Sequence, residues 1–118
     1  MRLMKLYCKV FLDTSLSKPA LLALLATWTG GQVQLRTISA PTCEIDVVAN
    51  EDFDEDRRNR IEDGFLYYRF YLDIEPRPDV NEMDYIQAIQ SLVLKARTGG
   101  IRAVAACDFE DQLALAID

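Results

Sequence analysis

Asp52, Asp54 and Asp56 stand at alternate positions in the run NEDFDEDRRNRIEDG, residues 50–64. Carboxylates at that spacing open a calcium-binding loop, which then needs glycine at its sixth position and a bidentate glutamate at its twelfth. Those two positions hold Arg57 and Asp63. With Arg57 and Arg58 placing positive charge beside any bound cation, the sequence predicts no metal site and no cofactor. A carboxylate-pair hydrolase is also disfavoured, because one acid of such a pair must sit in an apolar setting that raises its pKa. These acids crowd a polar stretch, and Asp46 and Asp73 alternate outward on predicted strands. No nucleophile elbow, P-loop or dinucleotide fingerprint is present. The chain has no histidine, so it lacks the commonest general base and metal ligand. The sequence predicts a protein that is not an enzyme.

What such a run can do is attract. The net charge is −6 and is unevenly distributed. Residues 1–43 carry five basic side chains against the single acid Asp13, whereas residues 44–63 carry nine acids against three arginines. That balance opposes a nucleic-acid backbone or an anionic membrane as partner and suits a basic protein. Glu51, Asp52, Asp54, Glu55 and Asp56 repel one another, so they call for water, counter-ions or a cationic partner. Phe53 in their midst either packs inward or anchors that partner. The alternative is a solvated loop neutralised by Arg57, Arg58 and Arg60 in weak local pairs.

The elements around the run read clearly. Residues 6–13 alternate, with Leu6, Cys8, Val10 and Leu12 on one side, as in a half-buried strand. A helix follows, with Ser17 as N-cap, Pro19 in its first turn, an apolar stripe from Leu21 to Trp28, and Gly30-Gly31 as its end. Residues 32–38 and 44–50 alternate again around Pro41, as one bent strand or two short ones, with Val33, Leu35, Ile45, Val47 and Ala49 inward. Residues 65–75, FLYYRFYLDIE, give the strongest strand signal, with Leu66, Tyr68, Phe70, Leu72 and Ile74 inward. A second helix starts at the N-cap Asn81, carries Tyr85, Ile86, Ile89, Leu92, Val93 and Ala96 on its buried face, and ends at Gly99-Gly100. Residues 101–107 form a last strand, and 108–118 a short terminal helix or a loose tail. The order predicts one α+β domain over residues 1–118, a ferredoxin-like βαββαβ sandwich with both helices on one face of an antiparallel sheet.

In that layout Tyr7 and Phe11 of the first strand and Phe65, Tyr67, Arg69 and Tyr71 of the third share the face away from the helices. RNA-recognition modules stack bases on aromatics from those two strands, but GFLYYRFYL lacks their basic-glycine start and second glycine. An apolar patch of this kind marks a protein interface. Tyr67, Arg69 and Tyr71 are therefore predicted to bind a partner or a second copy of the chain.

No apolar run approaches the ~20 residues needed to cross a bilayer. The start MRLMKLYCKV has no signal-peptide core, and the three cysteines form no C-x-x-C pair. The sequence predicts a cytoplasmic protein with its thiols in the core. A short, acidic chain with this run and without catalytic motifs resembles the bacterial immunity proteins of contact-dependent inhibition and related polymorphic toxin systems. The resemblance implies a non-enzymatic inhibitor that neutralises one cognate toxin, of the basic nuclease type, through acidic surface. It makes residues 51–56 the first candidate interface and the aromatic face the second. A small ferredoxin-like regulatory or ligand-binding domain, homodimeric through that aromatic face, is the other reading.

Overall fold

A computed structural model describes residues 6–60 and 62–113. Six strands form one antiparallel sheet in the order β2-β3-β4-β5-β1-β6, where β1 is Cys8–Asp13, β2 Gln32–Gln34, β3 Thr37–Ser39, β4 Cys43–Ala49, β5 Phe70–Pro76 and β6 Arg102–Ala106. Two α-helices, α1 (Lys18–Thr29) and α2 (Glu82–Thr98), and three short 3-10 turns complete the described chain. The fold is thus α+β with an open antiparallel sheet, but its strand count and order differ from the four-stranded layout expected above. The difference arises at residues 32–39. Instead of one bent strand or two short ones over residues 32–50, there are three, because the chain reverses at Leu35-Arg36 and β2 and β3 form a hairpin that pairs Gln34 with Thr37.

Both helices begin and end as their caps dictate. The Ser17 hydroxyl accepts the Ala20 amide, and Asn81 accepts those of Met83 and Asp84. Gly30 stops α1 in the left-handed conformation, at φ 72°, which costs glycine little. Leu21, Leu22 and Leu25 of α1 and all six expected residues of α2 are buried in one apolar cluster. That cluster also holds Cys8, Val10, Leu12, Ile38, Ile45, Val47, Phe70, Leu72 and Ile74. The two helices therefore share one face of the sheet, and the period-2 alternation of β1, β4 and β5 supplies the floor beneath them. Tyr85 is fully buried, where its hydroxyl donates to the carbonyls of Leu6 and Ile74. Burial pushes its phenol well above the usual tyrosine range.

Three inward assignments fail at the periphery. Val33 is 44% exposed and Leu35 96% exposed, and Ala49 is exposed as well. β2 is an edge strand with all three of its residues exposed, so its alternation has nothing to bury against. Leu35 sits in the hairpin turn itself, at φ 60°. A leucine there places Cβ against the backbone at a cost of about 1–2 kcal/mol. Leu35→Asn, which tolerates this conformation, is expected to raise stability by about 1 kcal/mol. A higher urea midpoint at unchanged m-value would show it, and an unchanged or lower midpoint would refute the strain.

The largest correction concerns residues 65–69. β5 starts at Phe70, and Gly64–Tyr67 is a 3-10 turn. Here the chain must close against the preceding segment: a Cβ on Gly64 would lie 2.5 Å from the Arg58 carbonyl oxygen. Only glycine fits that approach, and the tertiary contact overrides a strong local strand preference. Leu66 is consequently 42% exposed rather than inward. At the other end, the described part of the expected tail, residues 108–113, holds a short helical turn and not a loose end. Glu110–Leu113 is a 3-10 turn, with Phe109 and Leu113 buried in the cluster. Residues 114–118 of the expected tail lie outside the described part. Among the described residues, no helix is long and apolar enough to cross a membrane.

Candidate functional site

Between β4 and β5 the chain leaves the sheet, and its described residues 50–60 and 62–69 fold back over the outer face, the one away from the helices. Asn50 ties both ends of this excursion together. Its side-chain amide donates to the carbonyls of Leu66 and Tyr68 at 3.0 and 2.8 Å, and its Oδ1 accepts the Asp52 amide at 3.0 Å. Phe65 is thereby set edge-on to Phe11, ring centroids 5.3 Å apart, and Phe11 packs in turn against Tyr71 at 5.9 Å. The aromatic face expected to meet a partner or a second copy is thus partly covered by the chain's own excursion, and Phe11 is buried.

The acidic run is held as a turn. Asp54 accepts the amides of Asp56 and Arg57, both at 2.9 Å, and Arg57 Nε lies 3.9 Å from its Oδ2. The Arg57 amide, followed by that of Asp56, holds the Asp54 carboxyl below the usual carboxylate range. Phe53 turns inward between two cations, Arg69 at 4.3 Å and Arg58 at 5.6 Å from its ring centroid. Both Nε atoms of these arginines are buried without a hydrogen-bond partner among the described residues, so their contact with the ring stands in for one. Phe53 and Arg69 therefore hold the excursion together and do not face outward as anchors. Glu55 and Asp56 are exposed on its outer side.

Asp13, at the end of β1, fastens the excursion to the sheet. Its carboxylate is only 7% exposed and accepts Arg58 at 3.1 Å and Arg102 of β6 at 2.5 Å. Arg102 also lies 5.0 Å from the centroid of Tyr68. Sequence reasoning passed over Asp13 and Asn50. The one available signal was that Asp13 is the lone acid of the first 43 residues.

Between the excursion and β1, β4 and β5 lies an open cleft of about 730 Å³, lined by Lys9, Phe11, Glu51, Asp52, Tyr67 and Tyr71 among others. It gathers four of the expected site residues, Glu51, Asp52, Tyr67 and Tyr71, and leaves out Phe53, Asp54, Glu55, Asp56 and Arg69. Lys9 Nζ stands 4.4 Å from the centroid of the Tyr71 ring.

Beside the cleft, the strand register assembles a second acidic group that the one-dimensional pattern does not display. Glu44 of β4 pairs directly with Glu75 of β5, and Asp46 with Asp73. Four carboxylates thus occupy two adjacent rows of the outer face. Directly opposed like charges destabilise a sheet. Hydroxyls meet part of their demand: Thr37 donates to Asp46 at 2.5 Å and Tyr7 to Asp73. Partial burial and that bond to Asp73 push the Tyr7 phenol above its usual value. Arg77 lies 3.9 Å from Glu44. No group of three or more acidic, cysteine or histidine side chains converges as a metal site among the described residues. Comparison with protein-family models, with curated proteins and with solved structures found no match to this chain.

Proposed function

We propose that this chain is a non-enzymatic inhibitor, of the toxin-immunity kind, that docks a basic protein on the outer face of its sheet. The observation that carries the reading is the pairing of Glu44 with Glu75 and of Asp46 with Asp73. Thr37, Tyr7, Arg77 and, opposite Asp73, Lys9 meet only part of the charge of two adjacent like-charge pairs that lie outside the core, so the value of these pairs lies in what approaches from outside. A cationic surface would relieve the repulsion on binding, and the field would steer its encounter. The exposed acids Glu51, Asp52, Glu55 and Asp56 extend the same charge onto the excursion. The strained, 96% exposed Leu35 stands in the turn of the hairpin joined to β4, a second stability cost at that edge of the sheet. On this reading β1, β4, β5 and β6 with the two helices are a ferredoxin-like frame, widened by the β2-β3 hairpin. The protein works in the cytoplasm and takes neither nucleic acid nor a membrane as partner.

The test compares tagged wild-type protein with the variant Glu44→Gln, Asp46→Asn, Asp73→Asn, Glu75→Gln as bait in lysate of the cells that make it. Wild type is expected to retain a basic protein that salt releases. The variant should bind that protein with an on-rate lowered by about 10–100-fold at low salt, while its melting temperature stays level or rises. Equal capture by both baits refutes the sheet-face interface. Recovery of the chain alone, as a dimer broken by Tyr71→Glu, would instead favour self-association through the aromatic cleft.

A further inference from the structure

Cys8 and Cys107 are separated by nearly the whole chain, yet the fold sets them side by side. In the antiparallel pairing of β1 with β6, Lys9 stands opposite Ala106 and Val10 opposite Ala105. One step further along the same register, Cys8 faces Cys107. Both side chains lie on the helix side: Cys8 is fully buried in the core cluster, and the half-buried Cys107 packs against it. Residues opposed in this way have Cα atoms about 4.5–5.5 Å apart, inside the roughly 4.4–6.8 Å window of a disulfide. The third cysteine is elsewhere. Cys43 is two residues before Ile45 on β4, and Ile74 of β5 stands between Ile45 and Cys8.

We propose that Cys8 and Cys107 form a reversible intramolecular disulfide when the protein meets a hydroperoxide. Cys107 is the attacking thiol, being the one with access to solvent. The neighbouring Cys107 thiol and burial push the Cys8 thiol up, and the neighbouring Cys8 thiol with the Phe109 amide draws Cys107 down. The Cys107 thiolate, its proton having passed to water, attacks one peroxide oxygen. An S–O bond forms, the O–O bond breaks, and the departing hydroxide takes up a proton as water. Cys8 then gives up its proton and its sulfur attacks that of Cys107. The S–S bond forms, the S–O bond breaks, and the leaving hydroxide departs with a proton as a second water. Two thiols lose two electrons, and one peroxide is reduced to two waters. A dithiol reductant reverses the bond by exchange. The disulfide would pin the start of the closing segment, which carries Phe109 and Leu113 into the core, to the central part of the sheet.

The experiment treats reduced full-length protein with one to five equivalents of hydrogen peroxide, then blocks free thiols and measures intact mass, digest peptides and melting temperature. The expected result is a monomer lighter by two hydrogens, with a peptide joining Cys8 to Cys107. Its melting temperature should rise by on the order of 10 °C, reversibly with dithiothreitol, because so long a loop is closed. Cys43→Ala should behave as wild type, whereas Cys107→Ser should show neither change. Cys8→Ala tests the partner with a residue the core accepts, and the peptide map of wild type stands even if that variant folds poorly. Oxygen added to Cys107 without loss of hydrogens, a peptide containing Cys43, or a disulfide dimer of two chains would each overturn the proposal.

Discussion

Phe109→Ala is expected to lower the unfolding free energy by about 4 kcal/mol, the largest stability effect of any change considered for this chain. Phe109 is 1% exposed and packs against the ring of Tyr85, centroids 5.9 Å apart. Tyr85 itself has no exposure and is hydrogen-bonded to carbonyls of β5 and of the residue before Tyr7. Removing the benzyl group opens a void beneath a tyrosine whose hydroxyl is tethered at the far end, so the site collapses poorly, which is the condition for a large cavity cost. For a domain of this size, with total stability of about 5–15 kcal/mol, the melting temperature should fall by roughly 15 °C. Urea denaturation of the variant beside Asp111→Asn, a change at an exposed position of the same 3-10 turn, isolates the packing effect. A loss below about 1 kcal/mol would mean that the closing segment does not seal the core.

Asp13→Ala is expected to cost about 3 kcal/mol. The Asp13 carboxylate is nearly buried and serves Arg58 and Arg102 together, with side chains 27% and 46% exposed. Because both arginines keep some water, the penalty falls short of that for a fully enclosed pair. It remains large because Arg58 Nε already has no hydrogen-bond partner among the described residues, and the variant would strand its Nη1 as well. The effect should be local. With Arg58 released, residues 50–69 lose their bond to the end of β1, and trypsin should cut at Arg57, Arg58 or Arg60 at least tenfold faster under native conditions, by mass action on the opened state. Asp13→Asn, which retains an acceptor, should lie between. Unchanged stability together with unchanged cleavage would show that the contacts of Asn50, Phe53, Phe65 and Arg69 hold the excursion without Asp13.

These two residues mark where sequence reasoning succeeds and where it stops. The helix-side faces of β1 and α2 follow from period, because burial against one large layer imposes the repeat directly, and the starts of α1 and α2 follow from the caps Ser17 and Asn81. FLYYRFYLDIE misleads in its first half, since Phe65 and Tyr68 are apolar for a different reason: they seal the outer face under the excursion. Phe53 shows the converse. Amid acids it reads as either inward-packed or an anchor, and the Arg58 and Arg69 that flank its ring are not foreseeable from spacing. The acidic run was legible as charge, but not as the turn that Asp54 organises.

What the sequence determined by itself is local: two capped helices, the alternating strands, the acidic balance and the absence of a histidine. Each depends on neighbours within a few residues or on composition alone. The tertiary structure alone decided the strand order, the 3-10 turn at Gly64, the opposition of Glu44 to Glu75 and of Asp46 to Asp73, and the meeting of Cys8 with Cys107. Apart from the turn at Gly64, which closes on Arg58, these are pairings across long stretches of chain. Register is set by which hydrophobic faces must share one core and where the turns allow the chain to reverse, so no short window of residues contains it.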